Sequence, residues 1–278
     1  MSLIAIVGAG PIGATVAHRL AQRARVNTVR LIDASGAAAA GKALDIRQSG
    51  PVERFDTIVE ADDDVRAAAA ADVIVVADEI AGGEWQGDRG LAMIRQLVQA
   101  GIRAPLVFAG PSQTWLIEAA YRELKVPAAR LIGSAASAVA AAVGAIAGLE
   151  TGMSAVDVAV VGRPPALVIG WTSAACQGML VTDRVPAHRL AAIAQAMPRL
   201  WPPKPYAIGA ATAPIVEALV DGSRRHHQAL TVIDGDFDAR GAAIMLPLHL
   251  GRGRVVSHTL PSLSPQERTE FMNAVGGR

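Results

Sequence analysis

"LIAIVGAGPIG", residues 3–13, decides the fold. It opens on a near-continuous apolar run, 3–8, the pattern of a strand buried on both faces. Glycines follow at 8, 10 and 13, and "ATVAHRLAQRA" carries on with helical periodicity. Outward from this point, "TVRLID" (28–33) predicts a second strand ending in an acid, and 39–50 a helix closed by Gly50 and Pro51. Strands are expected over 56–60 and 71–78, then a polar, glycine-containing loop over 79–90. A helix ended by Gly101, a fifth strand over 104–110, a helix begun by Pro111 and a short sixth strand over 129–133 complete the alternation. Such alternation implies a parallel sheet with right-handed crossovers. Past residue 134 the pattern changes to a long helix, paired strands (157–161 and 166–170), two helices and a β-meander over 230–257. The expected architecture is α/β: a doubly wound parallel sheet over 1–133, followed by an α+β unit over 134–278 packed directly on it.

The bulk numbers exclude several classes. With 278 residues, 51% of them hydrophobic and 18% charged, the chain is globular and long enough for a large core. A net charge of +1, dispersed basic residues and 4% aromatics give no nucleic-acid surface. The single cysteine, Cys176, permits no internal disulfide and favours an intracellular, cytoplasmic setting. Within "TSAACQG" it reads better as a small buried residue than as a reactive thiol. The apolar N-terminus runs directly into the glycine motif, unlike a signal peptide. "LIGSAASAVAAAVGAIAGL" (131–149) is too glycine-interrupted for a membrane span and reads as a tightly packed helix. No metal site is expected: no Cys/His set has zinc spacing. "DGDFD" (234–238) lacks the glycine and terminal glutamate of a calcium loop and reads as a hairpin turn.

The glycines acquire meaning from their context. Gly8-x-Gly10-x-x-Gly13, with Pro11 and Ile12 inside it, follows a strand and opens a helix, and Asp33 ends the next strand. This is the dinucleotide-binding arrangement of a Rossmann unit. Gly8 permits the tight turn, Gly10 lets a pyrophosphate approach the backbone, and Gly13 lets the helix pack close to the strand. The helix N-terminus faces the phosphates. Asp33 would accept hydrogen bonds from the adenosine ribose. Its charge would repel a 2′-phosphate, and no Arg or Lys occurs between 34 and 41, so the expected cofactor is NAD rather than NADP. A chance cluster in a chain with 27 glycines would not come with strand, helix and acid in place.

"IAIVGAGPIGATVAHRLA" together with "LIDASGAAAAGKALDIRQSGPV" resembles the malate/lactate dehydrogenase family, in its bacterial malate dehydrogenase branch. "GKALDI" followed by "QSGPV" is the specific part of the match. The likeness continues at "ADVIVVA", "RLIG" (130–133), "YAIG" (206–209), "PIVEALV" (214–220) and "MLPLHLG" (245–251). The chain is shorter than the family's usual length, with much of the deficit between about residues 175 and 205. The resemblance implies hydride transfer between NAD and a 2-hydroxy acid in a homodimer or homotetramer. It also implies a catalytic set: a His that takes the hydroxyl proton, an Asp that orients it, an Arg that clamps the carboxylate, an Arg on a mobile loop, and an Asn on strand five.

That set is missing from the matching positions. The His position, in "VVGRPPALVIGW" (160–171), is Pro164, and no histidine occurs between His18 and His188. The Asp and clamping-Arg positions are Val139 and Ala142, and 134–149 contains neither residue type. The Asn position is Gly110. The loop arginines become Trp85 and Gly87, with Arg89 the nearest guanidinium. Proline offers no proton-transfer group. Positioned acid–base groups contribute roughly 10²–10⁴-fold, so losing dyad and clamps together costs on the order of 7 kcal/mol of transition-state stabilisation.

Arg163, Arg89 and Lys204, whose family-equivalent positions surround the substrate end, are candidate cations for a different small anion; the alternative is that they are solvated loop cations. Among the histidines, His18 reads as structural and His226-His227 as surface, His249 could face inward, and His188 and His258 have no carboxylate neighbour in sequence. Three functional readings follow. The first is a divergent family member that binds NAD without oxidising malate or lactate. The second is an NAD-dependent oxidoreductase with a relocated base. The third is a structural or interaction protein that has lost the cofactor.

Overall fold

The computed structural model describes residues 2–152 and 156–276. The first half alternates as expected: β1 (Leu3–Val7), α1 (Pro11–Arg23), β2 (Thr28–Ile32), α2 (Gly36–Glu53), β3 (Ile58–Asp62) and β4 (Val73–Val76). A small hairpin follows, β5 (Asp78–Glu79) and β6 (Gly83–Glu84), then α3 (Gly87–Gln99), β7 (Leu106–Phe108), α4 (Thr114–Arg122) and β8 (Leu131–Gly133). The second half carries α5 (Ala135–Thr151), β9 (Asp157–Arg163), β10 (Ala166–Cys176), β11 (Met179–Leu180), α6 (Ala187–Ala196) and α7 (Pro205–Asp221). It ends with β12 (His226–Asp234), β13 (Arg240–Gly251), β14 (Arg254–His258) and α8 (Pro265–Gly276).

Twelve strands form one sheet in the order β11-β10-β9-β13-β12-β8-β7-β4-β1-β2-β3, with β14 beside β13. From β3 to β8 all pairings are parallel. The chain leaves β1 outward to β2 and β3, then returns to β4 on the other side, so the topological switch lies between β1 and β4. The sheet continues past residue 133, because β12 pairs antiparallel with β8 through Leu230–Gly133 and Thr231–Ile132. Alternate residues of β1 enter the two faces: Ala5 and Val7 pack into one apolar core, Ile4 and Ile6 into the other. Helices α1 and α7 clasp the halves, with Arg23 donating to Glu217 at 2.8 Å and Gly209 so near Thr15 that a Cβ there would meet its backbone carbon at 3.1 Å.

Four local expectations are corrected. Helix α2 runs through Pro51 to Glu53, because a proline in the last turn removes only one hydrogen bond and Arg54, in the left-handed region, closes the helix onto the Gly50 carbonyl. Helix α4 begins at Thr114 rather than Pro111, since the Gln113 side chain caps a turn by accepting from the Gly110 N–H at 2.9 Å. The loop expected at 79–90 is largely ordered, with the β5–β6 hairpin and the first turn of α3 inside it. Helix α8 has no counterpart among the expected elements; it is anchored by Phe271, which meets Phe237 edge-on at 5.3 Å. The apolar stretch 131–149 supplies β8 and most of α5, and among the described residues no helix is long and apolar enough to cross a membrane.

Candidate functional site

Parallel register aligns the ends of five strands. Val7 lies opposite Ile32 and Val76, Val76 opposite Phe108, and Phe108 opposite Gly133. The residues that follow form a crest at the carboxyl edge, where open α/β sheets bind ligands. At the centre stands the glycine turn. Gly8 adopts φ +106° and donates its N–H to the Ile32 carbonyl at 2.7 Å. A Cβ at position 13 would stand 1.9 Å from the Gly8 oxygen, so only glycine lets α1 start this close to β1. Pro11 occupies the first helical position, where its missing N–H costs nothing.

Two buried carboxylates flank this turn. Asp33 is 4% exposed. It accepts from the Ala9 N–H and Ile80 N–H, both at 3.0 Å, and from the Ser35 N–H at 2.9 Å. Burial alone would raise its carboxyl, but these donors outweigh it and hold Asp33 below the usual carboxylate range. Asp78, which sequence reasoning passed over, is 6% exposed. Its Oδ1 accepts from the Gly13 N–H at 2.9 Å and its Oδ2 from the Ile12 N–H at 3.2 Å, while its carbonyl accepts from the Gly10 N–H at 2.7 Å. The amino end of α1, with its unpaired N–H groups and positive dipole end, therefore holds a carboxylate from the same chain.

The β5–β6 hairpin carries Asp78 inward and sets Glu84 opposite it. Glu84 accepts from the Ser112 N–H at 2.8 Å, and its Oε2 stands 2.4 Å from where a Cβ on Gly110 would be. Burial pushes the Glu84 carboxyl up and the nearby Asp78 charge adds to this, against the opposing pull of the Ser112 bonds. Glu79 pairs with Arg89, whose guanidinium lies over the Trp85 ring at 4.7 Å. Beside this hairpin a cavity of ≈ 480 Å³ opens over the ends of β1 and β2, lined among others by Ile32, Asp33, Val65, Trp85 and Met93.

Of the positions that the resemblance pairs with the catalytic set, Gly110 lies on this crest under Glu84, and Val139, Ala142 and Pro164 lie in the second half of the chain. Val139 is buried in α5 and Ala142 half-buried one turn on. Pro164 sits in the turn between β9 and β10. Its neighbour Arg163 is engaged: Nη2 donates to Glu118 Oε1 and Oε2 at 2.9 and 3.0 Å, and Glu118, 4% exposed, also accepts from the Ala243 N–H. Gly87 begins α3 at φ +58°, and Lys204 is exposed at the start of α7. Arg163 and Arg89 thus answer two different carboxylates instead of converging. Among the histidines, His18 contacts Glu53 at 3.0 Å, His249 meets His226 edge-on with ring centroids 6.5 Å apart, and His227 contacts Ser223. His258 meets Asp236 at 3.1 Å, a pair invisible in sequence because the meander brings together residues far apart in the chain.

Residues 2–84 match the NAD-binding domain of the lactate/malate dehydrogenase family. A malate dehydrogenase of Thioalkalivibrio sulfidiphilus is 26% identical over 298 residues, spanning 100% of this chain and 97% of that protein. Residues 2–84 are thus similar to the family's NAD-binding domain, and the chain over its whole length is similar to malate dehydrogenases. A malate dehydrogenase of Chlorobium phaeobacteroides reaches 44% identity, over 73 residues that make up 26% of this chain and 24% of that protein. Two solved structures share the fold. Malate dehydrogenase from Salinibacter ruber superposes with a TM-score of 0.81 at 23% identity, covering 99% of this chain and 94% of the other. A lactate dehydrogenase from a Medee basin deep-sea metagenome library gives 0.85 at 19%, covering 99% and 96%.

The family's NAD can be tested against this dehydrogenase-like crest in two parts. The glycine turn, Asp33 and the cavity beside it fit an adenosine. The diphosphate position does not fit: a Cβ on Gly10, where close approach is needed, would already meet the Asp78 carboxyl carbon at 2.5 Å.

Proposed function

We propose that this family member does not oxidise malate or lactate, and that its Rossmann half reads the adenosine part of NAD. The observation that carries the first statement is the state of Arg163. It is the polar side chain beside the proline that takes the proton-transfer position, and it donates to the buried Glu118. A cation satisfied by an internal carboxylate gives up that partner before it can clamp a substrate carboxylate. The second statement is supported by the match of residues 2–84 to an NAD-binding domain and by the cavity beside Asp33. That carboxylate is fixed by three backbone N–H groups and by the Ser35 side chain, and a ribose hydroxyl would take the place of the exchangeable Ser35 hydroxyl.

Two measurements test this. A screen of 2-hydroxy acids followed by NADH absorbance is expected to show no malate or lactate turnover; robust turnover of either would sink the first statement. Titration with adenosine, followed calorimetrically, is expected to show saturable binding that Asp33→Ala weakens. Binding equal in both proteins would remove Asp33 from the site.

A further inference from the structure

We propose that the acidic β5–β6 hairpin is a resident occupant of the dinucleotide crevice, so that the open remainder takes a phosphate-free nucleoside in preference to a dinucleotide. The proposal rests on the adenosine reading above and narrows its ligand class.

The first ground is occupancy. The α1 N-terminus offers two N–H groups, of Ile12 and Gly13, where an anion would be held, and both already donate to Asp78. A second carboxylate, Glu84, sits over Gly110 and accepts from the Ser112 N–H. The hairpin register places these acids opposite one another, so a single element fills the crest from β1 to β7. A ligand diphosphate would have to displace Asp78 and then lie beside it, and like charges brought together without solvent are strongly unfavourable.

The second ground is the character of what stays open. The cavity beside Asp33 is bordered by four carboxylates, Asp33, Asp63, Asp64 and Glu79, against one guanidinium, Arg89, which is committed to Glu79. Asp64 is answered from outside by Arg66. Such a lining disfavours phosphates and suits a neutral body. Its apolar side, with Ile32, Val65 and Met93, suits a flat ring. Trp85, on the same lining, has a buried indole N–H that meets no acceptor among the described residues. The Trp85 ring adds an aromatic wall for a flat base, and a ribose hydroxyl would replace the Ser35 hydroxyl on Asp33.

The experiment is calorimetric titration of adenosine, AMP, ADP and NADH into the wild type, Asp78→Ser and Asp78→Asn, each first checked for folding by thermal melting. Asn keeps the shape of Asp78 and removes its charge, which protects the test if the serine variant fails to fold. In the wild type, adenosine should bind tightest, with affinity falling as phosphates are added. In the variants, ADP and NADH should gain roughly tenfold or more, while adenosine changes little. ADP or NADH binding the wild type more tightly than adenosine overturns the role of the hairpin and leaves the nucleoside reading standing, as does an order of affinities unchanged in the variants. Folded protein that binds none of the four, in wild type and variants alike, overturns both.

Discussion

The two ends of the crevice have diverged differently from the dehydrogenase pattern. At the nucleotide end the backbone is held: Gly8 keeps its positive φ, Gly13 leaves no room for a side chain, and Asp33 is bound by three N–H groups. At the other end, which we propose has lost the family's chemistry, the backbone elements are present, and the positions expected to carry acid, base and clamp hold Val139, Ala142 and Pro164. A steric requirement of the fold persists wherever the chain folds at all. A proton-transfer group persists only where its chemistry is used. Charges at either end, moreover, are answered within the chain: Arg163 by Glu118, Arg89 by Glu79, Asp78 by the helix end.

The largest effect expected from this contrast is catalytic. Turnover of malate or lactate should lie on the order of 10⁵-fold below that of a family enzyme. Pro164→His alone should restore no measurable NADH signal, because the Asp and Arg partners act with the His as one unit. Recovery of activity in that single variant would mean the substrate end is intact.

Next comes Gly13→Ala, whose Cβ cannot be placed without moving β1 or α1. It should cost about 3 kcal/mol or more, read as a fall in the urea midpoint. A midpoint unchanged from wild type would show that the nucleotide end is not sterically pinned. Arg163→Ala should cost about 2 kcal/mol, less than a fully buried pair, because the guanidinium is partly exposed and Arg122 stands at 3.5 Å from the same Glu118. Replacing both partners, Arg163→Met with Glu118→Leu, should recover most of that loss; a double variant weaker still would show that the pair does more than neutralise itself.

The smallest effect is that of pH. The Asp33 carboxyl is below its ordinary value in the folded chain, so its contribution is fully present above the unfolded pKa of about 4 and is lost as pH falls through the lower folded value. Urea midpoints should therefore drop less between pH 6 and pH 3 in Asp33→Asn than in the wild type. Parallel drops in both proteins would remove Asp33 from the acid limb.

The difference between the two ends also decides what could be read from sequence. Strand and helix order, the glycine turn and Asp33 are legible because they rest on local periodicity and on a motif whose spacing is fixed by backbone geometry. The proposed loss of the catalytic set rests on sequence alone, on residue types at the expected positions that lack the needed chemistry. What escaped depends on contacts between distant residues. Asp78 stands in plain view at the end of "ADVIVVAD", but nothing local says that its side chain turns back under α1. An acid placed directly after the strand that returns across the switch point was the available signal. The Arg163–Glu118 and His258–Asp236 pairs are tertiary meetings of the same kind. Helix α8 escaped through its polar composition, which leaves Phe271 as its one buried anchor.

The pairing of β8 with β12 has a mechanical consequence. Many two-part proteins open and shut by swinging one lobe about a linker, which needs a seam where few hydrogen bonds cross. Here the ladder runs from β7 through Gly133 and Leu230 into the second half, and the clasp of α1 on α7 lies across the same line. A swing would tear both. The two halves are therefore tied as one stiff plate, and a ligand at this edge meets a crest whose shape is set beforehand, with the hairpin already laid on it.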